Sequence, residues 1–203
     1  NSTVTYSVGG LILSNSGAVT ANYWLSEIYD EEIAEAHRNA DIHIHDLSML
    51  TGYCAGWSLK QLIQEGLGGI SGKITSAPAA HLSVLCNQMV NFLGIMQNEW
   101  AGAQAFSSFD TYLAPFVKVD NLTYREVKKC IEAFIYGVNT PSRWGTQAPF
   151  SNITLDWTVP ADLAELPAIV GGKEMDFKYK HCKKEMDMVN RAFLEIMIEG
   201  DAN

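Results

Sequence analysis

Two histidines in a short alternating segment are the first residues that could carry chemistry. His43 and His45 lie within residues 41–47, where polar and apolar side chains alternate. This alternation predicts a short strand or extended segment with both imidazoles on one face. Two imidazoles at this spacing can ligate one metal ion, as in hydrolases whose metal site begins with His-x-His on a first barrel strand. The alternative is a strand edge with partly solvated histidines, because His81 and His181 lie in helical patterns and no other ligands are obvious.

Cys54 is the second residue that could carry chemistry. It lies in an aromatic, glycine-containing segment, Tyr53-Cys-Ala-Gly-Trp-Ser-Leu. A free cysteine is commonly a small buried hydrophobic residue, and that is the alternative for Cys54. Cys86, Cys130 and Cys182 fall in helical patterns, where we expect them to have only a packing role. The four cysteines form no Cys-x-x-Cys pair, which argues against a disulfide framework or a closed zinc site within this chain.

The segment from Gln97 to Asn152 mixes polar and aromatic side chains. Its first part interleaves amides and carboxylates with Trp and Phe side chains, and its polar members include Gln97, Glu99, Gln104 and Asp110. A buried amide or carboxylate without a partner costs free energy, so ordinary cores avoid this mixture. The composition therefore predicts a pocket wall or a buried interface.

Helices are expected to position most of these residues. Thr123-Tyr-Arg-Glu has the pattern of a capping box, which predicts that a helix starts at Thr123 and ends at residues 139–141. Amphipathic spacing predicts four further helices, over residues 19–39, 78–96, 98–112 (ending ahead of Pro115) and 178–199.

Few strands are expected. Residues 53–59 and 148–157 have the pattern of buried strands, and the first of them is expected to run into a helix around residues 59–63. Residues 160–172 have the pattern of a loop, and residues 1–20 that of an arm or short strand. Long helices between few strands favour an α/β or helix-rich α+β fold. Two or three strands are few for a closed sheet, so the chain could contribute strands to a barrel that is completed elsewhere.

Charge and hydropathy exclude some classes of protein. The net charge is −9, and Lys and Arg cluster only at residues 178–184, which argues against an open nucleic-acid surface. No apolar run reaches the roughly 18 residues of a membrane span, and no signal sequence is visible. We therefore expect a soluble cytoplasmic protein that binds neither nucleic acid nor membrane.

Five segments, in order over about residues 20–160, resemble the anaerobic (class III) ribonucleoside-triphosphate reductases. The longest block is too specific to be a chance match. The segments are His43-Ile-His-Asp-Leu, Tyr53-Cys-Ala-Gly-Trp-Ser-Leu, Val90-Asn-Phe-Leu-Gly, Gln97-Asn-Glu-Trp-Ala-Gly-Ala-Gln-Ala-Phe-Ser-Ser-Phe-Asp-Thr-Tyr-Leu-Ala-Pro-Phe and Pro141-Ser-Arg-Trp-Gly-Thr-Gln-Ala-Pro-Phe-Ser-Asn.

The resemblance implies the helix-rich half of the ten-stranded α/β barrel of the glycyl-radical enzymes. These reductases remove the ribose 2′-hydroxyl of ribonucleoside triphosphates. A glycyl radical activates a finger-loop cysteine, and a second cysteine on an early strand supplies reducing chemistry, with formate or a dithiol as the ultimate reductant. Cys54 matches this second cysteine. By the same resemblance His45 is expected to be a catalytic pocket donor, and Ser151 and Asn152 are expected to bind substrate hydroxyls.

The resemblance also implies several cofactors and partners. The radical is generated by an iron–sulfur activase that uses S-adenosylmethionine, and zinc lies in a C-terminal ribbon. ATP and deoxynucleotides act as effectors of a homodimer, and helices of this half pack across the dimer. We expect the effector site at Gln97, Glu99 and Gln104, or at the helix that starts at Thr123.

The finger-loop cysteine, the glycyl-radical motif, the zinc ribbon and the N-terminal ATP-cone have no counterpart in the 203 residues. We therefore expect a single domain over residues 1–203, the N-terminal portion of the catalytic barrel, with residues 1–20 as an arm. Alone it should be inactive. The alternatives are a metal-dependent hydrolase built on His43 and His45 and a non-catalytic nucleotide-binding dimerisation module.

Overall fold

A computed structural model describes residues 7–68, 75–142 and 148–201. Helices dominate these ranges and enclose most of the hydrophobic core. The α-helices are α1 (Val8–Tyr23), α2 (Glu31–Arg38), α3 (Leu59–Glu65), α4 (Leu82–Met96), α5 (Phe109–Val119), α6 (Tyr124–Asn139), α7 (Ala161–Ala164) and α8 (Lys183–Glu199). A π-helical turn (Trp24–Ile28) follows α1, and a 3₁₀ turn (Tyr179–Cys182) precedes α8. No helix in the described ranges is long and apolar enough to cross a membrane.

The core forms where α4, α5, α6 and α8 pack against one another. Leu85, Met89 and Leu93 lie on one stripe of α4 and are fully buried, which confirms the predicted amphipathic helix. The capping box of α6 is also confirmed, because Thr123 Oγ1 accepts the Glu126 amide while the Glu126 carboxylate accepts the Thr123 amide. This cap satisfies two amide groups that would otherwise lack partners at the start of α6.

Three short strands form a parallel sheet in the order β1 (Ala55–Trp57), β2 (Gln104–Phe106), β3 (Ser151–Ile153). The predicted strands at residues 53–59 and 148–157 are confirmed as β1 and β3, although both are shorter than expected. The predicted helix over residues 98–112 is wrong, because β2 lies inside it as the central strand. Only three residues of β2 are paired, so their period-2 burial is too brief to be separated from helical spacing by sequence.

The helix after β2 also differs from the sequence expectation. Pro115 was expected to lie beyond a helix end, yet α5 continues through it to Val119. An internal proline removes one backbone hydrogen bond and costs about 3 kcal/mol. Most side chains of α5, including Phe109, Leu113 and Phe116, are buried, and this burial offsets the cost.

The N-terminal segment is helical rather than an arm or a strand, as far as it is described. Ser7 Oγ accepts the Gly10 amide and caps α1. The sequence signal was weak because α1 is rich in Ser, Gly and Ala and has no amphipathic stripe. The helix predicted over residues 19–39 is confirmed in part, since Tyr29 and Asp30 separate α2 from the π-helical turn.

The predicted loop over residues 160–172 is wrong. It contains α7 and the strand β4 (Pro167–Val170), which pairs antiparallel with β5 (Lys173–Lys178) through a Gly171–Gly172 turn. Proline and glycine are typical of loops, but a Gly-Gly pair also suits a two-residue hairpin turn. Because β5 takes residues 173–178, the last helix starts at Lys183 rather than at Lys178.

Candidate active site

The predicted strand does not form: residues 41–42 form a bend, residues 45–48 form a turn, and residues 43–44 between them have no regular structure. Asp46 has φ of 55°, a left-handed conformation that a strand does not contain. His43 and His45 are nevertheless neighbours, with ring centroids 4.9 Å apart, and His37 of α2 lies 5.6 Å from His43. Nδ1 of His37 accepts the Ile44 amide, which orients this ring. Across the described ranges, no group of three or more His, Cys, Asp or Glu side chains could hold a metal ion.

One face of the parallel sheet is covered. Gln104 and Phe106 of β2 are fully buried on this face, and Trp57 Nε1 donates a hydrogen bond to Gln104 Oε1 at 2.6 Å. The Trp57 ring lies against Phe92 of α4, with centroids 5.3 Å apart. This hydrogen bond and the aromatic contact together fix β1 against β2 and α4.

The described residues leave the opposite face of the sheet open. Gly56, Ala105 and Asn152 are aligned across the three strands, and Gly56 and Asn152 are exposed. Successive strand residues point to opposite faces, so this row lies on the side away from Gln104 and Phe106. The small side chains of Gly56 and Ala105 leave space above the sheet.

Cys54 lies immediately before β1 and is an exposed free thiol. The alternative of a buried hydrophobic cysteine is therefore wrong for this residue. The other three thiols are buried or half-buried. Burial raises the pKa of the Cys86 thiol, and burial together with the nearby Glu185 raises that of Cys182 to about 12. The pKa of the half-buried Cys130 is also raised, mainly by burial.

The pairing between the segments before β1 and β2 contains a bulge. Gly52 pairs with Trp100, and Ala55 pairs with Gln104, both in parallel. Two residues lie between these positions on the first segment and three on the second, so the second segment has one extra residue. It is accommodated at residues 101–103, where the amides of consecutive residues bond to the Gly52 and Tyr53 carbonyls. Cys54 lies opposite this bulge.

The predicted substrate residues point in different directions. Asn152 belongs to the open face, whereas Ser151 shares its register with Gln104 on the covered face. Ser151 Oγ donates to the Pro149 carbonyl at 3.0 Å. Both residues line a cavity of about 770 Å³ between β3 and the C-terminal ends of α6 and α8.

Two of the three predicted effector residues are buried. Gln97 at the end of α4 donates to the Gly94 carbonyl and to Ser142 Oγ, at 3.0 and 2.6 Å. Gln104 bonds to Trp57, as described above. Glu99 is exposed. Gln97 and Gln104 therefore form hydrogen bonds inside the fold, whereas the Glu99 carboxylate lies at the surface.

Asp110 has a role that the sequence did not reveal. This fully buried carboxylate, in the first turn of α5, accepts the amides of Thr111, Asp156 and Trp157 and the side-chain amide of Asn190 in α8. It ties the chain after β3 to two helices. The spacing Ser-Phe-Asp at a helix start signals an acidic first turn, but Asn190 is too distant in sequence to be predicted as a partner.

The fold and the site define an α/β protein with one covered sheet face, and an exposed thiol at the edge of the open face. A sequence model of the family described as anaerobic ribonucleoside-triphosphate reductase matches residues 1–203. The chain belongs to this family. The metal-dependent hydrolase alternative loses support, because the described residues provide no ligand cluster and the family is a different one.

Solved structures share this fold. The anaerobic ribonucleotide reductase from Thermotoga maritima with dATP bound in the specificity site is 21% identical, with a TM-score of 0.75 over 97% of this chain and 36% of that chain. The same enzyme in complex with dATP and CTP is 20% identical, with a TM-score of 0.73 over 95% of this chain and 35% of that chain. A comparison with curated protein sequences found no match. The chain thus spans about a third of the length of the solved chains that it resembles.

Proposed function

We propose that this chain is the N-terminal part of the catalytic subunit of an anaerobic ribonucleotide reductase. The complete enzyme would convert ribonucleoside triphosphates to 2′-deoxyribonucleoside triphosphates. The rest of the subunit would complete the helix-rich half into a ten-stranded α/β barrel. Beyond the family match, one observation carries the proposal: the exposed thiol of Cys54 lies at the edge of the open sheet face.

Cys54 would act as the reducing thiol in this proposal. A ribose could lie over the row of Gly56 and Ala105, because small side chains leave room there. Cys54 would then donate its S–H hydrogen atom to the 2′-carbon after the hydroxyl has left as water, since sulfur gives up a hydrogen atom readily, and the thiyl radical left on Cys54 would recover a hydrogen atom from the reductant. Formate or a dithiol would supply the two electrons of the net reduction. Asn152, in the same exposed row, would bind a sugar hydroxyl, and Ser151 would support β3 from the other face.

The cofactors of the proposed enzyme would be held outside this segment. A glycyl radical, generated by an S-adenosylmethionine-dependent iron–sulfur activase, would supply the unpaired electron to the active site. The family's zinc would be held elsewhere, because the described residues contain no suitable cluster. His45 would contribute as a polar donor to the substrate pocket, with its ring packed edge-on against His43. We also propose a cytoplasmic location, which four free cysteines support, because reducing compartments keep thiols unpaired.

Effector binding and dimerisation are the second part of the proposal. We propose that a deoxynucleotide binds in a homodimer near the segment between α4 and β2. Glu99 would contact the effector directly, while Gln97 and Gln104 would hold the ends of the segment through their internal hydrogen bonds. Calorimetry with dATP tests this on the assembled subunit: Glu99→Ala should weaken binding, and Glu174→Ala, on the distant strand β5, should not. Equal affinity of both variants would refute the role of Glu99.

The catalytic proposal is tested by replacing Cys54 in the complete subunit, with its activase, under anoxia. Cys54→Ala should abolish deoxynucleotide formation while leaving the glycyl radical signal in electron paramagnetic resonance intact. Cys130→Ala is the matched control, because Cys130 is half-buried between α4 and α6, and this variant should retain activity. Full turnover by Cys54→Ala would refute the assignment.

A further inference from the structure

Gly102 lies at the centre of the bulge opposite Cys54. A Cβ atom at Gly102 would lie 2.7 Å from Cys54 Sγ and 2.8 Å from the Tyr53 carbonyl oxygen. Cβ atoms do not approach other heavy atoms this closely, so any side chain at residue 102 must displace the thiol, the backbone or both. The thiol therefore occupies a space that only glycine leaves free.

The extra residue of the bulge produces this close approach. Gly102 donates its amide to the Tyr53 carbonyl at 2.5 Å, and Ala55 donates to the Ala103 carbonyl at 3.0 Å. These two bonds flank Cys54 and hold its backbone against residue 102. Bulges often lie beside active sites, where the local change of twist redirects a side chain.

We propose that Gly102 is a positioning residue, whose missing side chain sets the orientation of the Cys54 thiol at the edge of the open face. This inference rests on the proposed function only for its catalytic consequence. A misplacement of about 1 Å can cost a reaction about 100-fold. Gly102→Ala should therefore lower kcat about 100-fold in the assembled enzyme and leave the KM for the ribonucleotide unchanged.

Gly56, in strand β1 directly after Cys54, offers a matched control. A Cβ atom at Gly56 would meet no atom within 4 Å, although Gly56 lies only two residues after Cys54. Gly56→Ala thus adds the same methyl group close to Cys54 without touching the thiol, and it is the control for alkylation and stability only, because Gly56 belongs to the row over which the ribose is proposed to lie. The two variants separate the contact with Cys54 from the general effect of removing a glycine.

The first measurement is the rate at which iodoacetamide alkylates Cys54 in the full-length subunit. Mass spectrometry of the proteolytic peptide that contains Cys54 gives this rate. Displacement toward solvent in Gly102→Ala should raise this rate about threefold or more, because access to a thiol limits its reactions. Gly56→Ala should match the wild-type rate. An unchanged or lower rate in Gly102→Ala would overturn the proposal.

A double-mutant cycle covers the case in which Gly102→Ala folds poorly. Removing the sulfur in Cys54→Ala eliminates the contact with Sγ but keeps that with the Tyr53 carbonyl. We expect Gly102→Ala to lower the melting temperature less in the Cys54→Ala background than in the wild type. Equal losses in both backgrounds would show that the backbone contact dominates, and would overturn the proposal.

The outcomes for Gly102 and for the enzyme are distinguishable. If Cys54→Ala retained turnover, the proposed function would fail, while the alkylation rates and the double-mutant cycle would still test whether Gly102 orients the thiol. If Cys54→Ala were inactive and Gly102→Ala kept full kcat, the positioning role would be wrong and the proposed function would stand.

Discussion

Replacing Asp110 by Asn tests whether the buried carboxylate holds the chain after β3 in place. Oδ1 accepts the amides of Thr111 and Asp156, at 3.0 and 2.9 Å. Oδ2 accepts the amide of Trp157 and the side chain of Asn190, at 2.9 and 2.8 Å. Asn has the same shape, but its NH₂ group replaces one oxygen. In place of Oδ1 it would face two backbone amides, whereas in place of Oδ2 it would face the Trp157 amide and could donate to Asn190 Oδ1, which has no other partner, once the Asn190 amide turns over.

The expected loss follows from these contacts. One or two hydrogen bonds to a charged acceptor disappear, at about 1.5–3 kcal/mol each, so Asp110→Asn should lower the free energy of unfolding by about 1.5–6 kcal/mol. For a chain of this size the melting temperature should fall by about 3–24 °C. Urea unfolding followed by circular dichroism measures the loss. Asp176→Asn, at an exposed position of β5, is the control and should change stability by less than about 0.5 kcal/mol. A loss below about 1 kcal/mol for Asp110→Asn would refute the reasoning.

Three further predictions concern helix packing, capping and charge. Thr123→Ala removes the cap of α6 and should cost about 0.5–2 kcal/mol in urea unfolding, whereas Thr123→Ser should cost little. A Cβ atom at Gly137 would lie 2.8 Å from Val90, so Gly137→Ala should destabilise by about 1–3 kcal/mol and Val90→Ala should restore part of the loss; no rescue would contradict the contact. Hydrogen bonds from Lys178 and a second lysine lower the pKa of Glu165 from 4.5 to about 2. This carboxylate therefore stabilises the fold above pH 4.5, and its contribution disappears as the pH falls toward 2. The stability difference between wild type and Glu165→Gln should vanish over that interval, and a constant difference would exclude the ion pair as its cause.

Long amphipathic helices could be predicted from the sequence because their signal repeats along the chain. The apolar stripe of α4 spans several turns, and the capping box of α6 is a local pattern of four residues. Strand β2 could not be predicted, since three residues carry too little period-2 signal. Its pairing partners are supplied by segments almost fifty residues away on either side.

The candidate site also depends on pairing between distant segments, which the sequence does not reveal. The motif around Cys54 made this residue a candidate, but its exposure depends on the open sheet face, and its orientation depends on the bulge at Gly102. Both arise from pairing with a distant segment, so local patterns do not contain them. The predicted strand at residues 41–47 does not form for a related reason: alternation alone does not supply a neighbouring strand, and the segment after α2 forms a bend and a turn instead.

The connectivity of the parallel sheet has a consequence for biosynthesis. β1 cannot pair with β2 until about 50 more residues have been synthesised, and β3 can pair with β2 only after about 50 more. Pairing over such sequence separations is slow, and the backbone N–H and C=O groups at the strand edges stay unpaired during translation. Nascent chains of this protein should therefore depend on holding chaperones until translation passes β3.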